Sequence, residues 1–370
     1  MKYLKKNKPN FNLAILAIGL SIFGVIMITS ASAVVAYERY GESGDYYFVY
    51  HQLVALVIGI VLMAVFSNIE YYNFKNKAFT LLLITLGLIL LVFLPGIGME
   101  VNGARRWINL GITSFQPTEL LKITFAIYLS AWLDNRQSNL DNARNTIVPF
   151  VAMIAVLAGL IMLQPDLGTL TIIVLTAIII LFSSGTSTWQ LGSLALFFLA
   201  IFFIFVRSAE YRWRRLMIFI NPSAQTLDQG YHINQAFIAV SQGGLLGKGF
   251  GGSLQKLRYL PEPHTDSIFA IIAEELGFLR SSIVVIAYTY LAMIGLKISK
   301  EAPDLFGKLL ALGLISSIVV QAFVNIAAML GLVPLTGVTL PFISSGGTSL
   351  IISFIQIGIL LNISKHAIKT

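Results

Sequence analysis

Asp266 sits in the stretch Tyr259 to Gly277, YLPEPHTDSIFAIIAEELG, where a polar loop runs into apolar sequence. Pro261 and Pro263 stop any helix that arrives from the loop. Thr265 or Asp266 then suits the cap of a new helix. On that helix Asp266, Ala270, Ala273 and Gly277 share one face, because they step by three and four residues. The carboxylate would stand at the mouth of a small-residue groove, on a border between water and hydrocarbon. There it is either a plain helix cap or a general base whose pKa partial desolvation lifts toward neutrality.

Other chemistry-bearing residues are equally sparse. Arg105 and Arg106 precede Trp107, either as a phosphate-binding fork or as an interfacial anchor. Gln116 closes the same loop. Glu119 and Lys122 lie one turn apart beyond Pro117, as a structural pair or as functional intramembrane charges. Asp166 in QPDLGT is a second carboxylate or the cap of the next helix. Residues 243–252, GGLLGKGFGG, place Lys248 among six glycines. Such backbone can approach an anion closely, or serve as a hinge. It is not a Walker motif, since Gly249 follows Lys248. Lys256 and Arg258 add charge beside it. Ser344, Ser345, Gly346, Gly347 and Thr348 form an irregular stretch, tolerated at membrane depth only where protein buries it or it lines a wet cavity.

The elements that must hold these residues are membrane helices. The 370 residues are 56% hydrophobic and 11% charged, against about 25% charged in soluble domains. Hydropathy predicts an all-α polytopic protein, read as one domain over 1–370, with about ten spans. They fall near 13–36, 48–67, 78–97, 118–132, 147–164, 168–183, 188–206, 267–296, 307–330 and 348–364. Residues 277–296 alone could cross a bilayer, so 266–276 reads as a separate, partly inserted turn. The basic N-terminus and first apolar run suggest a signal peptide, but the run is too long for one and reads as a retained span. Lys75, Lys77, Arg136, Arg144, Lys297, Lys300, Lys308, Lys365 and Lys369 share the side of the basic N-terminus, which places both termini in the cytoplasm. The net charge of +8 then reflects topology and not nucleic acid. A large loop, about 207–265, lies outside between spans seven and eight. Its Arg207, Arg212, Arg214 and Arg215 could meet an anionic headgroup, and its segment 211–220 suits an interfacial helix. With no cysteine there is neither disulfide nor cysteine-ligated metal. The distinctive segments 103–119, 164–169, 230–277 and 334–349 all fall on the outer side.

These segments carry a resemblance. NGARRWINLGITSFQPTELLK, QPDLGT, GYHINQAFIAVSQGGLLGKGFGGSLQKLRYLPEPHTDSIFAIIAEELGF and GLVPLTGVTLPFISSGGTS resemble, in order, the signatures of the shape, elongation, division and sporulation family, the FtsW/RodA proteins. The stretch GFGGSLQKLRYLPEPHTD is nearer the FtsW branch. The resemblance implies a peptidoglycan glycosyltransferase of the bacterial cytoplasmic membrane. It would polymerise lipid II into β-1,4 glycan strands on the outer face, in cell division, beside a class B penicillin-binding protein. It implies that Asp266 is the essential acid. Arg105, Arg106, Gln116, Glu119, Lys122, Asp166, Lys248, Lys256, Arg258, His264, Ser344, Gly346 and Gly347 become substrate-binding candidates, with a divalent cation such as Mg or Mn as the one cofactor expected. A lipid II translocase and a non-catalytic scaffold are the competing expectations. This chain departs from the family pattern at Ser267, Ser345, Thr348 and Arg280; on a continuous helix Arg280 would share the face of Asp266.

Overall fold

The computed structural model describes residues 7–41, 46–101, 103–109, 111, 114–137, 143–187, 189–190, 192–196, six isolated positions between 203 and 219, and 229–368. The expected seventh span (188–206) and the interfacial segment (211–220) lie largely outside the described residues.

Apolar sequence makes helices here because a backbone in hydrocarbon must satisfy its own hydrogen bonds. The chain runs through α1 (Phe11–Tyr40), α2 (Tyr47–Asn68), α3 (Tyr72–Asn76) and α4 (Ala78–Leu91) into a short sheet of β1 (Gly98–Val101), β2 (Ala104–Asn109) and β3 (Ser114–Phe115). It continues through α5 (Pro117–Asp134), α6 (Ala143–Met162), α7 (Leu167–Ser183), α8 (Gln229–Gly243), α9 (Ile268–Lys300), α10 (Leu305–Met329) and α11 (Gly347–Lys365). Among the described residues, α1, α2, α6, α9, α10 and α11 are long and apolar enough to cross a membrane, and α4 and α7 are shorter apolar helices.

Helix α10 is the hub, packed by α5, α7, α9 and α11. Helix α11 lies along α2, where small residues let the two backbones approach. A Cβ on Gly358 would fall 2.6 Å from the Met63 carbonyl oxygen.

Hydrogen bonds sort the connections into two ends. At one end Asn7 N–H reaches the Lys365 carbonyl at 2.8 Å and Ile368 N–H reaches the Glu301 carbonyl at 2.8 Å. At the other, Arg106 donates to the Gln164 carbonyl, Thr348 to the Ser114 carbonyl and Ser344 to the Thr265 carbonyl. The described parts of segments 103–119, 164–169, 230–277 and 334–349 thus gather at one end of the bundle.

One feature departs from the sequence reading: in the stretch read as an outer loop, the described residues form an antiparallel sheet, with Met99 opposite Trp107 and Ile108 opposite Phe115. Ala104 and Ile108 are buried while Arg105 is exposed, so the strand presents one apolar side to the bundle. In agreement with the reading of 266–276 as a separate turn, α9 is broken at Gly277, whose φ of 75° and ψ of 178° are not helical. The break separates 268–276 from the rest, so Arg280 does not continue the face of Asp266, and it is exposed. The break leaves carbonyls without helical partners, and the glycine loop supplies them. Lys248 N–H bonds the Glu274 carbonyl at 3.0 Å and Gly249 N–H the Glu275 carbonyl at 2.9 Å, while Phe278 N–H bonds back to the Gly244 carbonyl at 2.9 Å.

A Cβ at Gly277 would lie 2.2 Å from the backbone nitrogen of Gly247. Gly277→Ala is therefore expected to destabilise the protein by at least about 1–3 kcal/mol from backbone strain alone. Thermal unfolding in detergent should show a lowered midpoint, whereas Gly87→Ala, inside a helix with nothing within 4 Å of its Cβ, should not lower it.

Candidate active site

Asp266 occupies the turn just before α9, which starts at Ile268, so it is not on the helix itself. Ala270 and Ala273 are buried against protein, and Gly243 and Gly247 close on the backbone at Ala273 and Glu275. The expected small-residue groove is therefore filled by the glycine loop.

Four elements converge on the Asp266 turn. From α10, the Asn325 amide donates to the Asp266 carbonyl at 2.7 Å and to the Val338 carbonyl at 2.8 Å. From the segment after α10, Ser344 Oγ donates to the Thr265 carbonyl at 2.6 Å, and Ser345 N–H to the His264 carbonyl at 2.9 Å. From α2, the Gln52 amide holds the Ser344 carbonyl at 3.0 Å, and its oxygen accepts from Gly346 N–H at 3.3 Å. From α8, His232 Nε2 stands 2.7 Å from Ser267 Oγ. Glu262 and Phe342 bracket the site with left-handed backbone, φ 46° and 69°, a strain that persists only where surroundings enforce it.

The main chain of Asp266 is thus firmly held, while its carboxylate is not. Its nearest side-chain hydroxyls are Thr265 Oγ1 at 3.4 Å and Ser267 Oγ at 3.5 Å, both long. The half-buried carboxyl is pushed up to about 7, first by desolvation and then by the negative charge of Glu262. A carboxylate with that pKa can accept a proton near neutral pH.

The other candidates separate by their partners. Glu119 and Lys122 are buried and paired at 2.7 Å. Lys122 also donates to Gln321, whose amide holds Thr339 through its carbonyl at 2.9 Å. Gln321 and Asn325 stand one turn apart on α10, so one helix face carries both the lysine and the Asp266 turn. Sequence reading missed these two amides, although polar side chains in an apolar span were the available signal. Arg106 donates to the Gln164 and Pro165 carbonyls and ties the sheet to the turn before α7. Arg105 is exposed beside Glu100, and Arg258 pairs with Glu38. Gln116 N–H contacts Thr348 Oγ1 at 3.4 Å, and Gly347 starts α11.

Four further candidates are engaged within the protein itself. Asp166 caps α7: Thr169 N–H meets Oδ1 at 3.1 Å and Thr169 Oγ1 meets Oδ2 at 2.8 Å, so both its oxygens are occupied. His264 is buried with its ring 4.3 Å from that of Phe48, and desolvation lowers its pKa, so it is neutral packing and not an open anion contact. Lys248 binds Glu274 at 2.7 Å, and Lys256 binds Glu275 at 2.9 Å and Ser30 at 2.8 Å. Both glutamates are fully buried, and a buried charge needs a partner. The two lysines therefore neutralise α9, and the amides of Lys248 and Gly249 serve its carbonyls instead of an anion. Nor do the residues fit a caged metal: among those described, no three His, Asp or Glu side chains converge.

Two outcomes follow from this geometry. Raised folded pKa means that native protein holds a proton the unfolded chain releases between about 4 and 7. Asp266 thus costs stability as pH rises through that window. Asp266→Asn should be at least as stable as wild type, with its advantage larger at pH 8 than at pH 5 in thermal melts. Conversely, Lys256→Met should cost about 3–5 kcal/mol by stranding Glu275, and adding Glu275→Leu should recover most of it.

The same residues place the chain among known proteins. A family model described as "Cell cycle protein", covering FtsW, RodA and SpoVE, matches residues 11–369. Stage V sporulation protein E of Bacillus subtilis is 39% identical over 98% of this chain and 99% of its own length. "Probable peptidoglycan glycosyltransferase FtsW" of Geobacter sulfurreducens is 38% identical over 98% and 97%. Among solved structures, the rod shape determining protein RodA of Thermus thermophilus superposes with a TM-score of 0.69 at 25% identity, covering 100% of both chains. A chain from "Structural coordination of polymerization and crosslinking by a peptidoglycan synthase complex" superposes at 0.79 with 26% identity, covering 96% of this chain and 97% of that one. With its family signature running from α1 to the end of α11, and its braced Asp266 at the meeting point of four of those segments, this chain belongs to the FtsW/RodA/SpoVE family.

Proposed function

We propose that this protein is a peptidoglycan glycosyltransferase that polymerises lipid II on the outer side of the bacterial cytoplasmic membrane. The observation that carries the reading is Asp266. Its backbone is clamped by Asn325 and Ser344 while its carboxylate is left with long contacts and a pKa of about 7. A cap would use its oxygens on backbone N–H groups, as Asp166 does. The carboxylate of Asp266 makes no such cap on α9, whose start carries no side-chain cap bond.

In the proposed reaction the 4-hydroxyl of one sugar attacks the anomeric carbon of another. Asp266 takes the hydroxyl proton, the new β-1,4 C–O bond forms, and the bond to the lipid pyrophosphate breaks with inversion. No hydrolytic water has to be seated, so one base suffices, unlike an inverting glycosidase. Charge builds on the pyrophosphate and calls for cations. Arg105 and Arg106 on β2, Arg258 and the Lys122 pair remain for that role once Lys248 and Lys256 are assigned to the glutamates. Mg or Mn enters as a counter-ion of the substrate, and no step runs through it. The end of the bundle bearing Asp266 is the outer one in this proposal, supported by the basic residues at the other end. The family description as a cell cycle protein supports a role in division, and the neighbour from a synthase complex that coordinates polymerization and crosslinking supports a crosslinking partner, which in this proposal is a class B penicillin-binding protein. Translocase and scaffold readings leave Asp266 unexplained.

Purified protein with its partner, lipid II and a divalent ion should yield glycan strands resolved on a gel. Asp266→Asn should reduce them by at least about 100-fold, the scale of a general base, while partner binding is retained. Equal polymer from both proteins would remove Asp266 as the base.

A further inference from the structure

Ser267 is fully buried beside the base, and its hydroxyl has three neighbours. His232 Nε2 is at 2.7 Å, the Pro261 carbonyl at 2.8 Å and Asp266 Oδ1 at 3.5 Å. A hydroxyl donates one hydrogen. The carbonyl can only accept, so the short contact to it takes that hydrogen. His232 Nε2 then carries its own hydrogen and donates it to Ser267 Oγ. Both short contacts pull the hydroxyl away from the carboxylate. The histidine arrives from α8, within the long loop, which packs on α9 and α10.

Resting on the catalytic reading above, we propose that His232 is a positioning residue for Asp266: its ring pins the Ser267 hydroxyl on the Pro261 carbonyl and withholds it from the carboxylate. A base that received that hydrogen bond would be a weaker base, because donation favours the charged form. The loop helix α8 thereby sets the proton affinity of a group it does not touch. Among the described residues, the charges near the site are few, and Arg39 of α1 acts on neighbouring His264. The Asp266 turn contributes Glu262, whose charge acts on Asp266. Helix α10 presents the uncharged Asn325, and the following segment presents Gly337, where a Cβ would be 4.0 Å from Oδ2. On α9 the nearest acids, Glu274 and Glu275, lie two turns farther on and are paired with Lys248 and Lys256. Buried His264 in the same turn has its pKa lowered by desolvation and is uncharged.

The test reads Asp266 directly. Infrared difference spectra against Asp266→Asn follow the protonated carboxyl band as pH is varied, in wild type, His232→Leu, His232→Gln, Ser267→Ala and the His232→Leu/Ser267→Ala double variant. His232→Leu should raise the acid dissociation constant at least threefold, moving the midpoint down by about half a pH unit. His232→Gln, which restores a side-chain N–H donor, should return it toward wild type. In the Ser267→Ala background, His232→Leu should change nothing further, because the hydroxyl that transmits the effect is gone. An unmoved midpoint in His232→Leu, or an equal shift with and without Ser267, would overturn the proposal. The acid limb of the polymerisation rate, measured in parallel, separates the two readings. A shifted infrared midpoint with an unshifted rate limb would retain His232 as the positioning residue and remove Asp266 as the base.

Discussion

The break in α9 at Gly277 is the constraint on which the rest of the site depends. A backbone interrupted inside a membrane bundle exposes carbonyls that hydrocarbon cannot satisfy. Here the repair comes from a distant segment, since the amides of Lys248 and Gly249 reach the Glu274 and Glu275 carbonyls. The side chains repeat the pattern, with Lys248 and Lys256 neutralising the same two glutamates. One stretch of loop is thereby fixed to one turn of helix through both main chain and side chains. The Asp266 turn, strung between them, has little freedom left.

That fixation explains a division of labour among the polar residues. Carbonyls in the Asp266 turn are held by Asn325, Ser344 and Ser345, while the carboxylate receives only long contacts. A firm backbone with an under-satisfied acid gives precise aim together with a high proton affinity. Helix α10 contributes twice, because Asn325 serves the Asp266 turn and Gln321 serves Lys122. The buried Glu119–Lys122 pair and the proposed base are therefore referenced to a single helix face. Small displacements of that helix would move both together, which suits the proposed reaction between a sugar hydroxyl and a charged leaving group.

Several charged residues turn out to be structural for a common reason. Sequence alone read Asp166 as a second carboxylate or a cap, and Lys248 and Lys256 as charges in a glycine-rich loop. In the structure Asp166 caps α7, and the two lysines pair with the buried Glu274 and Glu275 of α9. Removing a charge from water is costly enough that the protein pairs it before it serves anything else. Asp266 is the exception, and the exception marks it.

Composition and hydropathy by themselves determined the helical membrane class, most span positions and the clustering of polar segments, because hydrocarbon permits so few backbone solutions. The Asp266 stretch was equally legible, since an acid after two prolines at an apolar border is rare. The Glu119–Lys122 pair followed from helical spacing. Tertiary structure alone decided which cations were already taken, because Glu274 and Glu275 read as ordinary helix residues until the loop was seen to cover them. The sheet near 98–115 pairs strands that are neighbours in sequence, and Asn102-Gly103 between the first two was an available hairpin signal that the sequence reading passed over. Tertiary structure also alone joined His232, Asn325 and Ser344 to Asp266. These lie 34, 59 and 78 residues away in sequence, and no local period encodes a contact at such separations.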